Sequence, residues 1–143
     1  KDIFALQEFF NGFTSRSELI SYICTPKGCR HIQSFLVKAN SEILDLIVDK
    51  IKLDLSVIMK NPYANYFFQK LSICLNYELR VLILNNLAKD FFSIASDNCG
   101  THALQSLFEV VNTDLEIGLL LEIIKPDFLS ICKVRIFYFI ILI

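Results

Sequence analysis

Three short polar groups recur along this chain at a fixed spacing. Each group ends in a glutamine, and the glutamines lie 36 residues apart: Gln33, Gln69 and Gln105. A small polar residue stands four positions before each glutamine: Cys29, Asn65 and Thr101. A planar residue stands three positions before it: Arg30, Tyr66 and His102. A planar side chain can stack on a nucleobase, and a glutamine amide can both donate and accept hydrogen bonds at a base edge.

The spacing within each group, which we call a trio, places its three members together on a helix. Residues three or four positions apart lie on neighbouring azimuths of a helix, so a trio shares one face. The residues between them, such as Phe67 and Phe68, then point towards a core. If the three helices stack, the trios form a ladder along one side of the array.

The 36-residue interval extends to residues other than the trios and indicates a repeat array. Good N-cap residues recur before each trio, and a proline at the predicted first helical position follows two of them: Thr25, Asn61 and Asp97, then Pro26 and Pro62. Small residues share another offset, where a larger side chain would hinder close approach: Gly28, Ala64 and Gly100. We therefore predict an all-α, right-handed α-solenoid of three-helix units.

The predicted units divide the chain into three full repeats and two partial ones. The repeats are 17–52, 53–88 and 89–125, preceded by an N-terminal cap or partial repeat at 1–16. First helices are predicted at Leu19–Cys24, Leu55–Met59 and Phe91–Ala95. Asparagines in register precede each third helix, which carries apolar residues at a common offset: Asn40, Asn76 and Asn112, then Ile43, Leu79 and Leu115.

Residues 126–143 are predicted to be a truncated or degenerate fourth repeat. Phe128–Lys133 resembles Leu55–Lys60, so a fourth unit begins there. The positions of the fourth trio fall on Phe137, Tyr138 and Ile141, and no glutamine is found among them. The final apolar run of eight residues is too short to span a bilayer.

Composition limits the possible functions. Hydrophobic residues make up 54% of the 143, and the formal net charge is -1, so any attraction to nucleic acid must come from local arrangement. Cys24, Cys29 and His31 match no standard zinc spacing, so we expect no metal and no cofactor. No phosphate-binding glycine loop or nucleophile elbow occurs, which argues against an enzyme with a small-molecule substrate. We expect a cytoplasmic protein without a membrane segment.

From residue 17 to 123 the chain resembles the Pumilio/PUF family of RNA-binding repeats. The segments PKGCRHIQSFL, NPYANYFFQKL and DNCGTHALQSL carry the resemblance. It implies that the second helix of each unit reads one base of single-stranded RNA. The first and last residues of each trio would contact the base edge, and the planar residue would stack between bases.

The resemblance also assigns bases to two of the trios. Asn65 with Gln69 would specify uracil, and Cys29 with Gln33 would specify adenine, whereas the base read by Thr101 and Gln105 stays open. Because family members bind RNA antiparallel to the chain, the expected site is 5′-N-U-A-3′. The implied role is binding of an mRNA 3′ untranslated region and post-transcriptional regulation through protein effectors.

Two other functions remain open from the sequence. A helical scaffold of the HEAT or armadillo kind would bind a peptide on its concave face. A PUF-like ribosome-assembly factor would bind RNA with little base selectivity. Titration with matched RNA sequences separates all three.

Overall fold

Eleven α-helices make up the part of the chain that the computed structural model describes, residues 2–133. The first is α1 at Asp2–Asn11. The three full units contain α2–α4, α5–α7 and α8–α10 at Arg16–Ile23, Pro26–Ser34, Ser41–Ile51, Leu55–Lys60, Ala64–Cys74, Tyr77–Leu87, Phe91–Ala95, Asn98–Val110 and Asp114–Ile124. The last is α11 at Phe128–Ile131. Every regular element within residues 2–133 is helical, which confirms the predicted fold class.

The helices pack in three columns, because each unit repeats the arrangement of the one before. First helices pack on first helices, α2 on α5 and α5 on α8. Second helices do the same, α3 on α6 and α6 on α9, and third helices form the series α4, α7 and α10. The structure is therefore an α-solenoid, with one continuous apolar core between the columns.

Helix α1 extends the column of third helices at its N-terminal end. It packs against α4 in the way that α4 packs against α7 and α7 against α10. Leu6 is fully buried and Phe10 nearly so, and both belong to the continuous core. This helix thus covers the apolar end of the first unit and occupies the place of the third helix of a preceding unit.

The small residues at the common offset are required by close contact between the first and second helices. A Cβ atom at Gly28 would lie 1.8 Å from the carbonyl oxygen of Tyr22, and one at Gly100 would lie 2.2 Å from that of Ile94. In the second unit Ala64 takes this position and is fully buried. There α6 begins only at Ala64, and Pro62 and Tyr63 form a turn before it.

The predicted N-caps act as expected, with one difference in where the helix begins. Thr25 accepts from the Gly28 amide, and Asp97 accepts from the amides of Cys99 and Gly100. The Asn61 side chain accepts from the Tyr63 and Ala64 amides at 2.9 Å each, which closes the turn. The expectation that Pro62 occupies the first helical position was therefore wrong, and α6 begins two residues later.

The third helix of the third unit departs from the repeat. Asn40 and Asn76 cap α4 and α7 directly. In contrast, α10 begins at Asp114 behind Thr113, which forms a capping box with Glu116. Asn112 instead accepts a hydrogen bond from Arg80.

One consequence is that Leu115 is 56% exposed, whereas Ile43 and Leu79 at the same offset are buried. The pattern therefore failed at Leu115, because Glu116 is the residue that turns inward.

The predicted fourth unit begins as a short helix, α11. Ile131 is fully buried there, as Ile58 is in α5. The expected trio positions Phe137, Tyr138 and Ile141 lie outside the described residues.

Candidate nucleic-acid interface

The three trios lie on α3, α6 and α9, which pack side by side in the column of second helices. Each planar member is solvent-exposed, with Tyr66 at 59%. The glutamines are half-buried, and the residues between them and the planar members, Phe67 and Phe68 in α6, are fully buried. The structure therefore presents three planar side chains from the neighbouring second helices of consecutive units, each with a glutamine one turn further along.

The second unit has the most completely bonded trio. Asn65 is only 4% exposed, and its Nδ2 donates to the carbonyl oxygen of Asn61 at 2.7 Å. Its Oδ1 accepts from Nε2 of Gln69 at 2.9 Å. The two residues predicted to contact a base edge are thus bonded to each other, and Asn65 exposes very little surface.

The first unit repeats this arrangement with sulfur in place of the amide. Cys29 is 5% exposed, and its thiol donates to the carbonyl oxygen of Tyr63 in the next unit at 3.1 Å. Nε2 of Gln33 in turn donates to the Cys29 sulfur. This trio therefore also links the first unit to the second.

In the third unit the first residue of the trio bonds to a backbone carbonyl, but the hydrogen bond from the glutamine to that residue is not formed. The Thr101 hydroxyl donates to the carbonyl oxygen of Asp97 at 2.7 Å. Unlike the other two glutamines, Gln105 has no side-chain hydrogen bond to any residue within 2–133, and it is half-buried. Its amide is therefore less constrained than those of Gln33 and Gln69.

The sequence did not predict that backbone carbonyls accept hydrogen bonds from the side chain of the first residue of each trio. Asn61 and Asp97 were expected only as caps, yet each also accepts from the side chain four residues ahead. That spacing of four between a cap and a polar residue is visible in the sequence. No such spacing predicts the Tyr63 carbonyl as the partner of the Cys29 thiol, because Tyr63 belongs to the neighbouring unit.

The residues around the trios give the surface some positive charge. Lys27 and Lys70 are exposed on α3 and α6 and are available to a phosphate. His31 instead packs within a cluster of aromatic side chains. Its ring centroid lies 4.6 Å from that of Phe9, and its Nδ1 lies 3.1 Å from the Tyr22 hydroxyl.

Cys24 and Cys29, which the sequence places near His31, carry no metal-binding arrangement. Within residues 2–133 no group of three or more histidine, cysteine or acidic side chains is placed to hold a metal ion. Burial raises the pKa of the Cys24 thiol, and the neighbouring Cys29 adds a smaller contribution in the same direction. Both effects favour the neutral thiol form of Cys24.

The family model for the Pumilio-family RNA binding repeat matches this chain three times, at residues 24–52, 56–88 and 90–124. Each match contains one trio. The chain belongs to the Pumilio family. This confirms the resemblance drawn from the three motif segments.

Curated Pumilio proteins and solved structures are similar to this chain over most of its length. Pumilio homolog 11 of Arabidopsis thaliana is 32% identical over 109 residues, which cover 74% of this chain and 20% of that protein. Suppressor protein MPT5 of Saccharomyces cerevisiae is 28% identical over 109 residues, covering 75% of this chain and 13% of that protein. The chain thus spans a fifth or less of the length of these relatives.

Two solved structures share the fold. The Puf4 RNA binding domain bound to the HO endonuclease RNA 3′ UTR recognition sequence superposes with a TM-score of 0.73 at 28% identity. It matches 80% of this chain and 36% of that domain. The RNA-binding domain of yeast Puf5p bound to MFA2 RNA gives 0.66 at 26% identity, matching 73% of this chain and 29% of that one.

No helix within residues 2–133 combines the length and the apolar character needed to cross a membrane.

Proposed function

We propose that this chain binds single-stranded RNA with one base per unit, at a site that reads 5′-N-U-A-3′. The observation that carries the proposal is the side-by-side packing of α3, α6 and α9, each with an exposed planar side chain beside a glutamine. Bases splayed from a single strand stack on such side chains and are read along their hydrogen-bonding edges. The Pumilio match and the two RNA-bound relatives support the same class of ligand.

The assigned bases follow the trios. Asn65 and Gln69 read uracil with Tyr66 stacking, and Cys29 and Gln33 read adenine with Arg30 stacking. Thr101 and Gln105, with His102 stacking, read the base on the 5′ side. Because the net charge is -1, phosphate contacts must come from nearby cations such as Lys27 and Lys70 rather than from the overall field.

The cellular role is post-transcriptional regulation of translation and mRNA stability. The Puf4 relative is bound to a 3′ UTR recognition sequence, which supports the same class of target here. We propose that the chain acts in the cytoplasm by recruiting protein effectors to the message, and that it contributes binding without catalysis.

The test is fluorescence-anisotropy titration, at low salt, of a labelled 5′-AAUAA-3′ oligonucleotide and its isomer 5′-AAAAU-3′, which lacks the site because no adenine follows the uracil. A fixed-register control carries cytosine in place of the central uracil. Tyr66→Ala should weaken binding of the uracil oligonucleotide by about 1–3 kcal/mol, or roughly 5- to 150-fold in Kd, because a stacking platform is lost. Asn85→Ala, at an exposed site on α7, is the matched control and should leave the affinity unchanged.

Each alternative has its own outcome. An unselective RNA-binding factor would bind the uracil and cytosine oligonucleotides tightly and with equal affinity. A variant with Asn65 and Gln69 both replaced by alanine would then behave like the wild type. Absence of RNA binding at low salt would contradict the proposal and favour a scaffold that holds a peptide.

A further inference from the structure

Two of the cysteines stand on either side of a helix cap. Thr25 caps α3, and its side chain accepts a hydrogen bond from the Gly28 amide. Cys24 is the residue before this cap, and Cys29 is the fourth residue of the helix. Apolar side chains at these two positions commonly pack against each other, and a free cysteine behaves as a small apolar residue. The cap therefore brings the two thiols together.

The third unit shows how closely these two positions approach each other. Thr101 stands at the position of Cys29, and its hydroxyl lies 3.4 Å from the carbonyl oxygen of Ala95. Ala95 directly precedes Ser96, which stands at the position of Cys24. The side chain at the fourth helical position thus reaches back across the cap to the end of the first helix.

The surroundings of the two cysteines agree with this geometry. Cys29 is 5% exposed and belongs to the continuous core, and the half-buried Cys24 packs against that core. Burial raises the pKa of the Cys24 thiol, and Cys29 raises it further, as a neighbouring thiol does. Both residues are free thiols in this structure, and Cys24 is the more accessible of the two.

We propose that Cys24 and Cys29 form a reversible disulfide when the chain meets a small disulfide such as glutathione disulfide, and that this bond weakens adenine recognition by the first unit. The effect on RNA rests on the proposed function, whereas the formation of the bond does not. The equivalent positions of the second and third units hold no cysteine, so the response is confined to the first unit.

The reaction is a thiol–disulfide exchange in two steps. The Cys24 thiol loses its proton and attacks one sulfur of glutathione disulfide, which forms a mixed disulfide and releases one glutathione thiolate that takes up the proton. The Cys29 thiol then loses its proton, attacks the Cys24 sulfur and displaces the second glutathione. Two protein thiols are thereby oxidised, and one glutathione disulfide is reduced to two molecules of glutathione.

The disulfide would remove the hydrogen bonds that Cys29 makes through its thiol. The S–H group that donates to the Tyr63 carbonyl at 3.1 Å is lost, so the first unit loses a link to the second. The sulfur is then bonded to Cys24 and no longer placed to accept from Nε2 of Gln33. Gln33 loses the group that holds its amide, and the contact of this trio with adenine is weakened.

Tryptic peptide mapping tests the bond without RNA, because Lys27 lies between the two cysteines. The whole 143-residue chain is incubated with glutathione disulfide, its monomer is isolated, the remaining thiols are blocked, and the chain is digested without reductant. We expect peptide 17–27 to be joined to peptide 28–30 and to be released by dithiothreitol. Absence of this linked pair from the folded chain would overturn the proposal.

The effect on RNA is measured as the ratio of the dissociation constants for 5′-AAUCA-3′ and 5′-AAUAA-3′, which differ in the base assigned to the first unit. A good edge contact predicts an adenine preference of about tenfold for the reduced wild type and about twofold or less after oxidation. Dithiothreitol should restore the preference. Cys24→Ser is the matched control, because it keeps Cys29 and should show the reduced wild-type preference with and without the oxidant.

The remaining outcomes separate the parts of the proposal. A linked pair with an unchanged adenine preference would overturn the effect on RNA. Loss of the preference when Cys24→Ser is oxidised would overturn the role of the pair, because another cysteine would then be responsible. If the reduced chain binds no RNA, the proposed function fails, and the peptide map still decides whether the disulfide forms.

Discussion

The junction between the first and second units differs in chemistry from the junction between the second and third, although equivalent positions of the repeat lie at both. The residues at this position in the three units are Leu44, Arg80 and Glu116. Leu44 is a buried apolar residue, so its junction is closed by packing. Arg80 and Glu116 form a buried ion pair 36 residues apart, which joins α7 to α10.

The ion pair is fully bonded on both sides, which is what makes burial of two charges possible. Nη1 of Arg80 donates to the Leu75 carbonyl at 2.9 Å, and Nη2 donates to Asn112. Glu116 accepts from the backbone amide and the hydroxyl of Thr113, at 3.1 and 2.7 Å. Glu116 itself is fully buried.

The comparison shows how a repeat protein can specify which units adjoin. An apolar junction accepts any neighbour of similar shape. A buried arginine, in contrast, requires a carboxylate opposite it, because an unpaired buried charge is strongly destabilising. We therefore expect the junction of units two and three to be the more selective one.

The largest expected effect comes from removing one partner of the ion pair. Glu116→Leu should lower the free energy of unfolding by about 3–5 kcal/mol, because Arg80 remains buried without its counter-ion. Urea denaturation followed by circular dichroism measures the change. The double variant Arg80→Leu/Glu116→Leu gives this junction the leucine found in the first unit. It should recover most of the lost stability, and equal instability of the single and double variants would contradict the comparison.

An intermediate effect is expected from pH. Burial by itself would raise the pKa of Glu116, but hydrogen bonds from Arg80, Thr113 and Asn112 and the charge of Arg80 together hold that pKa below its ordinary 4.5. A lowered pKa in the folded state gives stability that is present above the unfolded-state value and lost as pH falls through the folded-state value. The difference in unfolding free energy between wild type and Glu116→Leu should therefore narrow at acid pH. A difference that stays constant from pH 7 to 3 would argue against the pair.

The smallest effect is expected at the first junction. Arg16 and Asp54 form an ion pair at 3.0 Å between α2 and the residue preceding α5, with the Arg16 side chain 57% exposed. Arg16→Ala should change the free energy of unfolding by no more than about 1 kcal/mol, because water and salt screen an exposed pair. Thermal unfolding at low and high salt would check this. A loss as large as that of Glu116→Leu would show that the first junction is also held by charge.

Much of this molecule could be read from periodicity, because the features concerned are local. The 36-residue interval gave the unit length, the caps at Thr25 and Asp97 gave helix starts, and the small residues Gly28 and Gly100 gave the close approach of first and second helices. The caps and the small residues each act on residues within about six positions, and the 36-residue interval is the repetition of these local patterns, so the sequence carries the information directly.

The features that the sequence could not predict join residues distant in the chain. The repeat predicted a buried apolar residue at Leu115, but Leu115 is exposed in the structure and Glu116 is buried instead. The reason is Arg80 in the preceding unit, which needs a carboxylate and therefore draws Glu116 inward while Thr113 caps the helix. No pattern within a single unit predicts that Arg80 requires a buried carboxylate from the next unit.

The trios divide in the same way. Sequence alone determined their residue types, their spacing and their common helix face, because helical geometry fixes which residues share an azimuth. Only the tertiary structure decided that Asn65 and Cys29 are buried and that the Cys29 thiol reaches the Tyr63 carbonyl of the next unit. The physical reason is that burial and hydrogen-bond direction depend on which helix packs alongside, and that neighbour lies a whole repeat away.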